Sequence, residues 1–159
     1  MMGSFPLVDL PSVTAITLRF LAEPSTVNFG GNVHGGTVMK WIDEAGYACA
    51  TSWAKSYCVT VYVSGIRFHR PVRIGELVEV EARLAYTGER SMNISVEVRS
   101  GDIKLGQLYK TTDCLIVFVA LGADGKPIPV DAWTPETLGD MALAARAKGQ
   151  LDAARAASA

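Results

Sequence analysis

From Gly36 to about Ser56 the chain contains no proline, and apolar residues occupy most of the circumference of a helix. Val38, Trp41, Ile42, Ala45, Ala48, Cys49 and Trp53 span too wide an arc for a helix lying on a surface. A helix of roughly 20 residues is about 30 Å long, and this one is too interrupted to cross a bilayer. Something else in the chain must wrap it.

The residues that follow have the pattern of a wrapper. "CVTVYVSGIRFHRP" is β-branched and aromatic and ends at a proline. "ELVEVEARLAYTGE" alternates, with Leu77, Glu79, Glu81 and Arg83 on one face and Val78, Val80, Ala82, Leu84 and Tyr86 on the other. "SMNISVEVRSGD" alternates too, and "LGQLYKTTDCLIVFVA" is a further strand-like run. A period of two with one apolar face predicts half-buried antiparallel strands. Gly88-Glu89-Arg90 and Ser100-Gly101-Asp102 mark turns between long hairpins. Thr14–Phe20 has strand composition, so about five strands are expected around the helix, an α+β domain. We divide the chain into an N-terminal arm (1–13), this domain (14–132) and a helical tail (133–159). The tail is expected to start with Thr134 as N-cap and Pro135 at the first helical position, and to be weakened by Gly139 and Gly149.

Composition narrows the class. At 159 residues one domain is expected. Only 19% of residues are charged, below the roughly 25% usual for soluble proteins, which fits surface buried in an oligomer. A net charge of −1 provides no basic field for nucleic acid or anionic membrane. Cys49, Cys58 and Cys114 lie far apart without a C-x-x-C, so they read as reduced structural thiols. The N-terminus lacks a basic region followed by a long apolar one, so no signal peptide is expected, and a cytoplasmic protein follows.

Chemistry-bearing residues concentrate in "NFGGNVHGGTVMKWIDEAG", Asn28 to Gly46. Lys40 and Glu44 are spaced to pair along the helix. Asp43 is rotated about 100° from Glu44, and the bare Gly46 side is expected to leave room beside its carboxylate. Asp43 is either an acid satisfied by donors across an interface or a functional group. Gly30, Gly31, Gly35 and Gly36 either permit a tight turn or admit a ligand to helix amides, where the dipole suits an oxyanion. The spacing fits neither a Walker loop nor a dinucleotide fingerprint. His34 is a candidate general base or a structural residue. With His69 far off in sequence, a zinc site is not expected. Asn28 either forms an Asx-turn or orients a water or a carbonyl.

Together these residues resemble a known family. "NFGGNVHGGTVMKWIDEAGYACA" is similar to the loop-and-helix signature of hotdog-fold acyl-CoA thioesterases, "VTVYVSGIRFHRPVRIGELVEVEARLAYTGERSMNISVEV" to their next three strands, and "PIPVDAWTPET" to their C-terminal segment, over roughly residues 14–140. The resemblance implies a hotdog dimer, often a trimer of dimers, that hydrolyses fatty acyl-CoA. It places the catalytic aspartate at Asp43, as general base or as a nucleophile forming an anhydride. The partner asparagine falls at Asn28, supplied by the other subunit and holding the attacking water. Gly35 and Gly36 fall where the thioester carbonyl is polarised, and Arg90 and Ser91 where CoA is met. Arg67 and Arg70 are either further contacts to CoA phosphates or, on the favoured reading, ordinary solvated charges. No metal or cofactor is implied, coenzyme A being part of substrate and product. Other readings are a hotdog enoyl-thioester hydratase using His34, and an acyl-CoA sensor without turnover.

Overall fold

The computed structural model describes residues 3–11 and 13–158. Met1, Met2 and Ser12 of the arm, and Ala159 of the tail, lie outside the described residues. The elements run β1 (Ala15–Leu21), α1 (Gly35–Ala54), β2 (Cys58–Phe68), β3 (Leu77–Thr87), β4 (Ser91–Gly101), β5 (Tyr109–Ala120) and α2 (Leu138–Ser158). The five strands form one antiparallel sheet in the order β1-β3-β4-β5-β2. β1 and β2 are therefore the two edges. The chain leaves one edge, runs along α1 and enters the sheet again at the other, so α1 packs against all five strands. This is the curved sheet around a long helix that the resemblance implies. α1 stops at Ala54 because Lys55 turns to φ 53°, where its N–H still reaches the Thr51 carbonyl.

Period-two patterning builds the core. Val78, Val80, Ala82 and Leu84 of β3, and Met92, Ile94, Val96 and Val98 of β4, are fully buried against Ile42, Ala45 and Cys49 of α1. The sheet covers only one side of α1, however. Trp41, Ala48 and Trp53 are half-buried, and Lys40, Asp43, Glu44 and Tyr47 stand open. β2 shares this exposure. From Thr60 to Phe68 every residue except Ser64 is exposed, including Val61, Tyr62, Val63, Ile66 and Phe68. An apolar edge strand invites pairing with another chain.

α2 closes the opposite face of the sheet. Leu143, Ala147 and Leu151 pack on Ala85, Leu115 and Val117. Tyr86 joins this second cluster rather than the first. A bulge between Leu84 and Tyr86 inserts one residue and turns Tyr86 off the face that strict alternation assigns to it. α2 also begins later than expected. Its cap is Thr137, whose Oγ1 accepts from the Asp140 N–H at 3.0 Å, and not Thr134. The helix runs through Gly139 and Gly149, stabilised by tertiary packing in spite of propensity.

Candidate active site

Asp43 lies in the middle of α1, on the face the sheet leaves open. Its carboxylate Oδ1 accepts a hydrogen bond from Thr60 Oγ1 of β2 at 2.7 Å. Oδ2 has no partner among the described residues. The carboxylate is thus fixed in orientation, with one oxygen free to accept a proton. Lys40 does not compete for it, because its Nζ lies 3.8 Å from Glu44, as the i,i+4 spacing predicts. Tyr47, one turn further along α1, meets Tyr57 edge-to-face at 6.3 Å. Thr60 is a functional candidate that sequence reasoning missed. It reads only as a strand threonine, and its contact with Asp43 exists only once β2 lies beside α1.

Gly46 does not leave room beside Asp43. It is buried, and a Cβ there would come within 2.9 Å of the Phe118 ring. Its function is close approach: the missing side chain lets α1 sit down on β5. The space beside Asp43 comes from the uncovered helix face.

The glycine loop forms a different structure at the start of α1. Asn28 makes the Asx-turn: its side-chain oxygen accepts from the Gly30 N–H at 2.9 Å and from the Asn32 N–H at 3.0 Å. Gly31 follows at φ 84°, in the left-handed region that favours glycine. The His34 N–H bonds to the Thr26 carbonyl, and the first helical bond runs from the Val38 N–H to the His34 carbonyl. The His34 side chain does not cap this end. The amides of Gly35, Gly36 and Thr37 have no acceptor among the described residues, as expected at a helix start. Gly35 and Gly36 have φ outside the left-handed region, and a Cβ on either would meet nothing within 4 Å. Neither the backbone nor packing within the protomer requires glycine here. Bare glycines leave those amides uncovered.

His34 is exposed, with Phe29 as its aromatic neighbour, and has no acid partner among the described residues. His69 is committed elsewhere. Its Nε2 lies 2.9 Å from Asp113, which also takes Lys110 Nζ at 2.8 Å. Partial burial raises the Asp113 pKa, but the hydrogen bonds and charges of Lys110 and His69 outweigh it and leave the pKa below the usual value. No group of three or more metal-ligating side chains is assembled among the described residues. The thiols are poor nucleophiles: burial pushes Cys49 and Cys114 up to about 12 and Cys58 to about 11.

Arg90 is exposed at the β3–β4 turn, which is closed by the Gly88 N–H on the Ser91 carbonyl at 2.9 Å. Thr87, Met92, Phe118 and Thr60 form one cross-strand row, so this turn and Thr60 lie at the same end of the sheet. Arg70 is not a solvated charge. It bonds the buried Glu76 at 3.0 Å, reaches Ser100 and stacks over Tyr109 at 4.8 Å. Arg67 is exposed and has no ion-pair partner among the described residues.

Asn28 and Asp43 do not meet within one protomer. Gly35 and Asp43 are eight residues apart on α1, about 12 Å of helix rise, and among the described residues no hydrogen bond joins the loop to the carboxylate. A second copy with its α1 antiparallel to the first would bring one loop to the other carboxylate.

A long helix in a five-stranded curved antiparallel sheet is the hotdog arrangement, and a held carboxylate and unpartnered helix amides stand on its open side. Comparison with known proteins supplies the class, the thioester hydrolases. The thioesterase superfamily model matches residues 30–107. The acyl-CoA thioester hydrolase YciA of Salmonella typhimurium is 38% identical over 118 residues, covering 72% of this chain and 89% of its own length. The cytosolic acyl coenzyme A thioester hydrolase of Rattus norvegicus is 32% identical over 134 residues, which are 83% of this chain and 35% of the rat protein. A solved structure described as an apo-hexameric acyl-CoA thioesterase superposes with a TM-score of 0.88 at 28% identity, over 94% of this chain and 97% of that one. The chain belongs to the thioesterase superfamily.

Proposed function

We propose that this protein hydrolyses fatty acyl-CoA thioesters to free acid and CoA, at sites shared between two protomers. The observation that carries the reading is the Asp43 carboxylate, held by Thr60 at 2.7 Å with its other oxygen free on the uncovered helix face. Asp43 removes a proton from water as the water oxygen adds to the thioester carbonyl carbon. The developing oxyanion lies against donors at the start of the partner subunit's α1, the amides of Gly35 and Gly36. The tetrahedral adduct then collapses with cleavage of the C–S bond, and the proton on Asp43 passes to the leaving thiolate. Arg90 and Ser91, at the same end of the sheet as Thr60, meet the CoA portion. CoA leaves as product, and the chemistry needs only water, a base and donors.

Two observations support assembly: β2 is an exposed apolar edge, and the relative quoted above is hexameric. Pairing β2 with β2 of a second copy extends the sheet and brings the open faces of two α1 helices together. A trimer of such dimers and a cytoplasmic location complete the reading, the latter resting on the cytosolic rat relative.

The test is thiol release from a panel of acyl-CoAs by wild type and Asp43→Ala. Wild type releases CoA, and the variant falls by at least roughly a hundredfold, the scale of a lost general base. Wild type that binds acyl-CoA without releasing thiol would refute the proposal.

A further inference from the structure

The hydrogen bonds of Asn28 limit what it can do. An amide oxygen has two lone pairs. Both are taken in the Asx-turn, by the Gly30 N–H at 2.9 Å and the Asn32 N–H at 3.0 Å. The side chain is only half-buried, and its Nδ2 has no partner among the described residues. Toward anything outside the loop, Asn28 can only donate.

That limit bears on the reaction. A water about to attack a carbonyl carbon directs a lone pair at that carbon, and its two O–H groups need acceptors. Asp43 Oδ2 is such an acceptor. Asn28 is not, because its oxygen is occupied. An N–H aimed at the water oxygen would draw on the electron density that must form the new bond. A carbonyl oxygen has the opposite need: it gains negative charge as the adduct forms, and a fixed donor stabilises that charge.

We infer that Asn28 binds the thioester carbonyl oxygen through Nδ2, as a side-chain member of the oxyanion site beside the free amides of Gly35 and Gly36, and does not hold the attacking water. This rests on the shared-site reading above. The Asx-turn holds the donor: Oδ1 is anchored by two N–H groups, which leaves Nδ2 as the side chain's unpartnered polar group among the described residues. This is preorganisation of the kind that makes an oxyanion donor effective. It also accounts for glycine at position 31, which takes the left-handed turn at φ 84°.

The discriminating variant is Asn28→Asp. A carboxylate keeps both acceptor sites for the Gly30 and Asn32 amides, so the turn survives, but the donor is gone. We expect the native circular dichroism spectrum and oligomer size, KM within a few-fold of wild type, and kcat lower by about a hundredfold to a thousandfold. If Asn28 held the water by accepting from it, aspartate would serve at least as well and kcat would stay within about threefold. That result overturns the inference.

A spectroscopic readout separates carbonyl binding from any general effect of the new charge. Infrared difference spectra of a 13C-carbonyl acyl-CoA bound to Asp43→Asn protein, which cannot turn it over, report polarisation of the C=O bond. The band lies below its position in solution and moves back toward it in both Asn28→Asp and Asn28→Ala backgrounds. A band unmoved by either substitution overturns the inference, with Asp43-dependent thiol release left intact. Failure of the thioesterase reading itself would show separately, as thiol release unaffected by Asp43→Ala.

Discussion

Gly46→Ala tests the link between packing and chemistry. An added methyl would lie 2.9 and 3.1 Å from two Phe118 ring carbons and 3.6 Å from Ile116 Cδ1. Carbon pairs settle at about 3.5–4.0 Å, so helix and ring must separate by roughly 0.5–1 Å. Phe118 is 1% exposed and has no solvent to move into. Two effects oppose each other. Alanine gains about 1 kcal/mol over glycine in a helix interior, while overpacking a filled core costs about 1–3 kcal/mol. The net expectation is destabilisation by about 1 kcal/mol, a fall in Tm of about 2–4 °C for a chain of this length. Activity is more sensitive, because the same displacement lifts Asp43 from Thr60, and misplacement by about 1 Å can cost about a hundredfold in rate. Thermal unfolding at fixed protomer concentration, with thiol-release kinetics on the same samples, measures both effects. Phe118→Leu in the Gly46→Ala background should restore part of each. A Gly46→Ala protein with raised Tm and unchanged kcat would refute the close-approach role.

Two further predictions come from other contacts. Thr60→Val removes the 2.7 Å hydrogen bond to Asp43 while keeping side-chain shape. kcat should fall about tenfold, with KM nearly unchanged, in steady-state assays, since a bond to a charged group contributes about 1.5–3 kcal/mol. Glu79 is held below its ordinary pKa by hydrogen bonds from Arg99 and Arg19, which outweigh its burial. Its stabilisation is present above the ordinary carboxylate pKa and is lost as pH falls through the depressed value. Tm should therefore decline on the acid side of about pH 4.5, and Arg99→Met should flatten that decline in scans from pH 7 to pH 3.

The elements carried by a clear period are legible in the sequence. The strands β3 and β4 stand where their two-residue alternation puts them, and α1 where the proline-free apolar run puts it. Features decided by tertiary contact are not legible. The bulge that turns Tyr86 toward α2 interrupts the alternation without any glycine to mark it. Gly46 is three residues from Asp43, a spacing that makes them neighbours without saying which one faces the sheet. Thr60 reaches Asp43 only because β2 crosses to the far edge beside α1. Arg70 looked solvated because its partners, Glu76, Ser100 and Tyr109, come from separate segments. For Asn28 the sequence offers two readings, an Asx-turn or a group that orients a water or a carbonyl, and the hydrogen bonds from the Gly30 and Asn32 N–H groups establish the turn. What the turn does to the chemistry of its free amide requires the hydrogen bonds themselves.

The central claim is that each site takes Asp43 from one protomer and Asn28 from another. Subunit exchange between inactive Asn28→Ala and Asp43→Ala proteins tests it directly. Each mixed dimer has one site with both residues intact and one with neither, and half of the dimers in an equal mixture are mixed. Thiol release should recover to about a quarter of the wild-type rate, as two-fold symmetry requires. Verified mixed dimers that release no more CoA than the parent variants would contradict the claim.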